Sequence, residues 1–228
     1  MVEFTLEDIA KMIDHSLLQP KLTDAELAEG CMLARKWQVA SVCIKPYAVR
    51  LAASLLAGSG VAVGTVIGFP HGGHTTSTKM FEVEQAVRDK ATELDMVVNI
   101  GKVLSGEWAF VKNDIAAVVD LAKGAKALVK VIFENSMIAD EHKIRLCEIC
   151  SEVGAAFVKT STGYGDGGAT DHDLKLMRTH AAPEVQVKAA GGVRSLDRLL
   201  EVRAIGVTRV GATATKAILE EAQRRLGG

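Results

Sequence analysis

Eight times along this chain a short run of apolar, β-branched residues gives way to a longer amphipathic run, and this alternation restricts the possible fold more than any other feature. The short runs are MIDHSL (12–17), ASVCIK (40–45), VAVGTVIGF (61–69), ELDMVVNI (93–100), ALVKVIFE (127–134), AFVKTST (156–162), VQVKAAGG (185–192) and TRVGA (208–212). Between them lie helical stretches, among them TDAELAEGCMLARKWQ, TKMFEVEQAVRDKA, WAFVKNDIAAVVDLAKGA and SLDRLLEVRAI, with Thr23, Thr78 and Ser195 expected as N-caps. ATKAILEEAQRRL closes the chain. Repeated βα units require parallel strands covered by helices. Eight units in 228 residues, 48% of them hydrophobic and with no low-complexity linker, predict an α/β chain folded as one (β/α)8 TIM barrel domain over residues 1–228, in preference to an open doubly wound sheet.

The formal net charge is −1 and Lys and Arg form no long block, so neither nucleic acid nor an anionic membrane is expected as a partner. The opening MVEFTLEDIAKMIDH lacks a basic start followed by an apolar run, and no segment has the roughly 18 uninterrupted apolar residues of a membrane span. A soluble, cytoplasmic protein acting on small molecules is expected. Cys31, Cys43, Cys147 and Cys150 are scattered rather than set in a disulfide framework, so reduced thiols are expected. Cys147 and Cys150 share the apolar spacing of DEHKIRLCEICSEVG and read as one face of a helix. His71 and His74 in GFPHGGHTTSTK read as a polar loop leading into a helix cap, not as metal ligands.

Strands of a parallel sheet are covered on both faces and are usually continuously apolar. Here Asp14, Asp95, Lys130, Lys159 and Lys188 interrupt or abut such runs. Side chains alternate along a strand. If Lys159 points into the barrel, then Val158 and Thr160 face the helices; the same parity turns Lys188 and Asp95 inward and Leu94, Met96, Val98, Val185 and Val187 outward. Neighbouring strands lie about 4.8 Å apart, which allows the ammonium groups of Lys159 and Lys188 to approach within roughly 5 to 6 Å. At an effective dielectric near 20 their repulsion is about 3 kcal/mol, or roughly two pKa units. Partial desolvation acts in the same direction. One lysine of the pair then becomes a nucleophile able to form a Schiff base, with Asp95 and the second lysine handling protons. The alternative is a purely structural Lys–Asp–Lys network. Cys43 shares the parity of Ser41 and Lys45 and, if inward, lies near the barrel mouth.

Active sites of such barrels sit at the C-terminal ends of the strands, and phosphate is often held after strands seven and eight. The corresponding turns are AAGGVRS, with Gly191 and Gly192, and VGATATKA, with Gly211 and Thr213; TSTGYGDGGAT adds hydroxyls after strand six. Glycines admit an anion to the backbone N–H groups, and helix N-termini favour negative charge. Together they point to a phosphorylated aldehyde or ketone.

FVKTSTGYGDGGAT, VKAAGGVR, ELDMVVNIG, IDHSLLQP, SVCIKP and VIGFPHGGHTTSTK, in these contexts across most of the chain, strongly resemble the deoxyribose-phosphate aldolase family. The resemblance implies a class I aldolase on a (β/α)8 barrel, with no metal or other cofactor, that reversibly cleaves 2-deoxy-D-ribose 5-phosphate to D-glyceraldehyde 3-phosphate and acetaldehyde. It implies Lys159 as Schiff-base nucleophile, Lys188 as the lysine that lowers its basicity and relays protons, and Asp95 as proton donor or acceptor. Asp14, Ser16, Cys43 and Lys130 would support the lysines or contact substrate. Thr162, Gly163, Tyr164, Gly191, Gly192, Gly211, Ala212 and Thr213 would form the phosphate site. A homodimer or homotetramer is expected. Ser16 stands where the family usually has threonine, Ala214 where many members carry a second serine, and the RRLGG tail lacks the tyrosine-ended extension of some members. The alternatives are another Schiff-base sugar-phosphate aldolase, transaldolase-like, or a non-catalytic sugar-phosphate-binding protein.

Overall fold

The computed structural model describes residues 4–227. Within it eight parallel strands close into a barrel in the order of the sequence: β1 (Ile13–Leu17), β2 (Ser41–Ile44), β3 (Ala62–Ile67), β4 (Glu93–Val97), β5 (Leu128–Ile132), β6 (Phe157–Lys159), β7 (Gln186–Ala190) and β8 (Arg209–Ala212). Strand β8 pairs back onto β1 through Ile13–Val210 and Asp14–Gly211. Closure removes both sheet edges. After a short entry helix, α1 (Leu6–Ala10), the helices that cover the barrel are α2 (Asp24–Trp37), α3 (Val49–Leu55), α4 (Thr76–Arg88), α5 (Ile100–Leu104), α6 (Trp108–Gly124), α7 (Asp140–Val153), α8 (Asp171–His180), α9 (Leu196–Ala204) and α10 (Thr215–Gly227).

All eight expected strands are present, each shorter than the apolar run that announced it. In ELDMVVNI the strand stops at Val97, because Asn99 becomes the N-cap of α5 and accepts the N–H of Lys102. Thr23 and Ser195 cap α2 and α9 as expected. The cap of α4 is Thr75 rather than Thr78: the Thr75 hydroxyl accepts the N–H of Thr78, which places Thr78 in the first turn. A run of four hydroxyl residues offers several caps, and the exit of the preceding loop selects among them.

Outward-facing strand residues, among them Leu94, Met96, Val129, Val131, Val158 and Val187, are buried in one apolar cluster with Ile115 and Val118 of α6 and Leu146 and Ile149 of α7. Each such side chain contributes about 1.5 to 3 kcal/mol. Cys147 and Cys150 belong to this cluster, and burial pushes the Cys147 thiol up to about 12. All four cysteines are free.

The barrel interior differs from the usual filling of branched apolar side chains in stacked layers. Ser41, Glu93, Phe157 and Arg209, the first residues of β2, β4, β6 and β8, form the layer at the N-terminal end. Above them come Asp14 of β1, Lys130 of β5 and Lys188 of β7. Two residues further along the even strands lie Cys43, Asp95, Lys159 and Gly211. The register Asp95–Lys130 and Lys159–Lys188 brings the charged residues side by side.

Candidate active site

Asp95 is the centre of the charged interior. Its Oδ2 accepts hydrogen bonds from the Nζ of Lys159 and of Lys188, each at 2.7 Å, and its Oδ1 accepts from Lys130 at 2.9 Å. Below it, Asp14 Oδ2 lies 2.5 Å from Lys188 and 3.3 Å from Lys130, while Oδ1 accepts from the Ser41 hydroxyl at 2.6 Å and from Arg209 at 2.5 Å. Glu93 completes the array, 2.6 Å from Lys130 and 3.0 Å from Arg209. The Arg209 guanidinium lies over the Phe157 ring, 5.3 Å from its centroid. Burying ions without partners is prohibitive, so strands carrying these residues can close only if each charge meets an opposite one.

The array separates the two lysines chemically. Burial pushes the Lys159 ammonium down, Asp95 opposes that push, and Lys188 adds to it; the result is an amine below the ordinary lysine value. At Lys188 burial acts in the same direction but is outweighed by Asp14 and Asp95, so that side chain is held above it. Burial opposes ionisation of Asp95 too, but Lys130, Lys159 and Lys188 override it and hold the carboxyl well below the usual carboxylate range. The array thus favours the ammonium form of Lys188 and the carboxylate form of Asp95, and makes Lys159 the amine of the pair closer to neutrality.

The expectation that Lys188 is the chief cause of this neutrality needs correction. The two ammonium groups share one carboxylate oxygen, so their separation is no more than about 5.4 Å, as the strand spacing implied. The carboxylate between them screens much of the repulsion, and desolvation of Lys159 is the larger influence.

Above the array a cleft of about 530 Å³ opens at the C-terminal ends of the strands. Lys159, Lys188, Asp14, Ser16 and Cys43 line its floor. Asp95 and Lys130, both fully buried, lie beneath the floor and reach the cleft only through the lysines. Cys43 points inward, 3.9 Å from Asp95, and burial raises its thiol to about 11. Thr162, Gly163 and Tyr164 line one wall; Gly191, Gly192, Gly211 and Thr213 line another. Ala212 does not line the cleft: alternation along β8 turns it toward the helices between Gly211 and Thr213, and its carbonyl accepts the Thr215 hydroxyl at 3.4 Å.

The glycines are required by backbone geometry. Gly191 has φ +84° and Gly192 has φ +90°, and a Cβ on Gly191 would fall 2.9 Å from the Gly168 Cα. The turns after β6 and β7 are pressed backbone to backbone, with the Ala169 N–H donating to the Gly191 carbonyl at 3.0 Å. Ser195 caps α9 directly after this turn, so a helix N-terminus follows the glycine pair, an arrangement suited to an anion.

Several residues of the site were missed in the sequence. Glu93 and Arg209 stand at strand starts, where a charge reads as a boundary. Arg194 and Lys21 line the cleft and bring positive charge to it. The buried Glu134 carboxylate accepts the Thr162 N–H at 3.2 Å and also the Thr162 hydroxyl, and so fixes the turn after β6. Tyr164 reaches across the mouth: its hydroxyl donates to the Leu18 carbonyl at 2.9 Å and its ring meets Phe69 edge-on. His71 and His74 join no group of metal-ligating residues among those described. Asp140, His172 and Asp173 do converge, but the Lys143 ammonium sits 2.9 Å from Asp140 and 2.6 Å from Asp173 and supplies the positive charge there.

An amine of lowered basicity at the carboxyl-terminal mouth of a (β/α)8 barrel, with a carboxylate and a second lysine in contact, is equipped to attack carbonyl carbon and to move protons. Fold and site together define an aldolase. More narrowly, the chain belongs to the DeoC/LacD family of aldolases, whose family model matches residues 8–219. Over 227 residues it is 57% identical to the deoxyribose-phosphate aldolase of Rhodopirellula baltica, an alignment covering 100% of this chain and 94% of that one. Among solved structures it is similar to QR15, an aldolase, with 36% identity and a TM-score of 0.91, covering 96% of this chain and 97% of the other. It is also similar to the tetrameric deoxyribose phosphate aldolase of Aeropyrum pernix, with 30% identity and a TM-score of 0.89 over 96% of this chain and 92% of that one. No helix among the described residues is long and apolar enough to cross a membrane.

Proposed function

We propose that this aldolase reversibly cleaves 2-deoxy-D-ribose 5-phosphate to D-glyceraldehyde 3-phosphate and acetaldehyde through a Schiff base on Lys159, without a metal, in the cytoplasm and as a homodimer or homotetramer. The observation that supports this most directly is the contrast within the lysine pair: Lys159 lines the cleft and is pushed toward the free amine, while Lys188, on the same carboxylate oxygen, is held as an ammonium ion.

In this reading the neutral Lys159 amine attacks C1 of the open-chain sugar, and loss of water gives an iminium. Lys188, which lines the cleft and gives a proton to the departing hydroxyl as the iminium forms, takes up the C3 hydroxyl proton through a water; the oxygen electron pair forms the new carbonyl, and the C2–C3 bond breaks. The bonding pair moves into the iminium, leaving an enamine, and glyceraldehyde 3-phosphate departs. Lys188 supplies the proton that the enamine takes at its methylene carbon, and water hydrolyses the resulting iminium to acetaldehyde and free Lys159. Asp95, held far below the range in which a carboxylate takes up protons, orients the two amines and does not store the proton. The phosphate would rest on the backbone N–H groups around Gly191 and Gly192 and on the turn at Thr162 and Gly163, with Thr213, Arg194 and Lys21 close by.

Incubation with acetaldehyde and borohydride, followed by peptide mass mapping, should place a two-carbon adduct on Lys159. An unlabelled Lys159 would sink the Schiff-base assignment, and turnover of a ketose phosphate but not of deoxyribose 5-phosphate would replace the substrate.

A further inference from the structure

We infer that Arg209 and Glu93, the first residues of β8 and β4, are positioning residues for the amine chemistry, acting from the end of the barrel opposite the cleft by setting the charge of the array to which Lys159 belongs. The inference rests on the reading of Lys159 as the nucleophilic amine.

Apart from Lys159, the connected array contains the cations Lys130, Lys188 and Arg209 and the carboxylates Asp14, Glu93 and Asp95, joined by contacts of 2.5 to 3.3 Å. Three charges of each sign cancel. The array is neutral when Lys159 is a free amine and carries one uncompensated positive charge when Lys159 is protonated. Inside a barrel that charge is costly. Removing either Arg209 or Glu93 changes the balance by one unit without touching the cleft, since neither residue lines it.

One further buried carboxylate, Glu134 just past β5, sits on the Thr162 turn outside the array and is common to every variant below; the other groups facing the interior leave the count unchanged. From β2 come the Ser41 hydroxyl and the Cys43 thiol, which burial keeps protonated. From β6 comes the Phe157 ring, stacked on Arg209. Strand β3 contributes Gly64 and no ionisable side chain. His15 on β1 points away from the lumen, to the Thr215 hydroxyl at 2.8 Å. At the mouth, Lys21, Arg194 and Tyr164 face the open cleft, where solvent screens them.

The placement is symmetric. Lys159 lies on β6, and β4 and β8 are each two strands away; in the lumen Glu93 and Arg209 meet at 3.0 Å, so their opposite charges lie at about the same distance, roughly 10 Å, from the Lys159 amine. Loss of the Arg209 charge removes a repulsion and makes Lys159 easier to protonate; loss of the Glu93 charge does the reverse. At an effective dielectric near 20 each change amounts to about one pH unit.

The test measures the initial rate of reductive labelling of Lys159 by acetaldehyde and cyanoborohydride against pH, with thermal unfolding recorded alongside. Arg209→Met should move the labelling midpoint up by about one pH unit and Glu93→Gln down by about one. The double variant should return it to the parent value, and Arg209→Lys should leave it there. Midpoints that stay fixed in both single variants, or move in the same direction, would overturn the inference, because simple loosening of the barrel has no reason to act with opposite sign. If the single variants do not fold, the double variant and Arg209→Lys decide: the parent midpoint in both upholds the charge balance, and a displaced one refutes it. Failure to label Lys159 in the parent at any pH is a different result, and overturns the Schiff-base reading itself.

Discussion

Replacing Asp95 by asparagine should separate two properties that usually fall together, the capture of an aldehyde and the completion of turnover. The wild-type carboxylate takes hydrogen bonds from three buried lysines at 2.7, 2.7 and 2.9 Å. Asparagine keeps the shape but offers one acceptor oxygen and turns an N–H group toward a cation. Breaking a buried ion pair from one side costs about 3 to 5 kcal/mol. For a chain of this length each kcal/mol lowers the melting temperature by about 2 to 4 °C, so unfolding should come roughly 10 °C earlier. Asp95 is also what opposes the effects of burial and of Lys188 on Lys159. Without it the Lys159 amine is less basic, and reductive trapping of acetaldehyde at neutral pH should be at least as fast as in the parent. Turnover of deoxyribose 5-phosphate should nonetheless fall about 10²- to 10⁴-fold, the usual scale of a lost proton-transfer arrangement. The experiment is a paired measurement of trapping rate and steady-state kcat on the same preparation, with a thermal melt. Trapping and kcat falling in equal proportion would refute the reasoning, since Asp95 would then only hold Lys159 in place; an unchanged melting temperature would refute the energetic half.

Two further outcomes are expected. Burial lowers His15 to about 4, against a weaker opposing hydrogen bond with Ala212, so the folded state resists a proton that the unfolded chain accepts near pH 6.5. Stability should therefore be lost as pH falls from about 6.5 to about 4, by about 3 kcal/mol in all, and urea titrations of His15→Gln across this window should show a correspondingly smaller decline. At Gly191, φ +84° and the approach to the Gly168 Cα leave no room for a side chain. Gly191→Ala should raise the KM for deoxyribose 5-phosphate about tenfold, for a backbone strain of about 1 to 2 kcal/mol, with acetaldehyde trapping on Lys159 unaffected; equal damage to both measurements would show that this turn does more than shape the phosphate site.

The parts of this molecule that could be read in the sequence are those where two rules conflict. A lysine or aspartate inside an apolar, β-branched run violates the pattern of a buried parallel strand, and parity then determines which way it points; Asp14, Asp95, Lys130, Lys159 and Lys188 were legible for that reason. Glu93 and Arg209 obey the same parity but stand at strand starts, where a charge breaks no rule. The Ala212 side chain faces the helices, as parity alone requires. The Thr75 cap depended on the course of a loop. The hydroxyl of Tyr164 on the Leu18 carbonyl and the seat of Thr162 on Glu134 join segments distant in the chain, and composition carries no signal of such pairings. The strength of Lys188 as a perturbing charge was overstated, because an ammonium–ammonium distance says nothing of the carboxylate between them.

The charged residues of the lumen are distributed unevenly along the chain. All three carboxylates come from its earlier strands, Asp14 from β1 and Glu93 and Asp95 from β4, whereas Lys130, Lys159, Lys188 and Arg209 come from β5, β6, β7 and β8 in turn. Cut between β4 and β5, the barrel would fall into an acid-lined half and a base-lined half. Either half closing on a copy of itself would bury like charges against one another with no counter-charge, while the two different halves neutralise each other. Apolar patterning is similar in every βα unit and cannot distinguish a correct closure from a swapped or duplicated one; the sign of the interior charge can. The ions that prepare Lys159 for chemistry thereby also encode which half of the barrel accepts which.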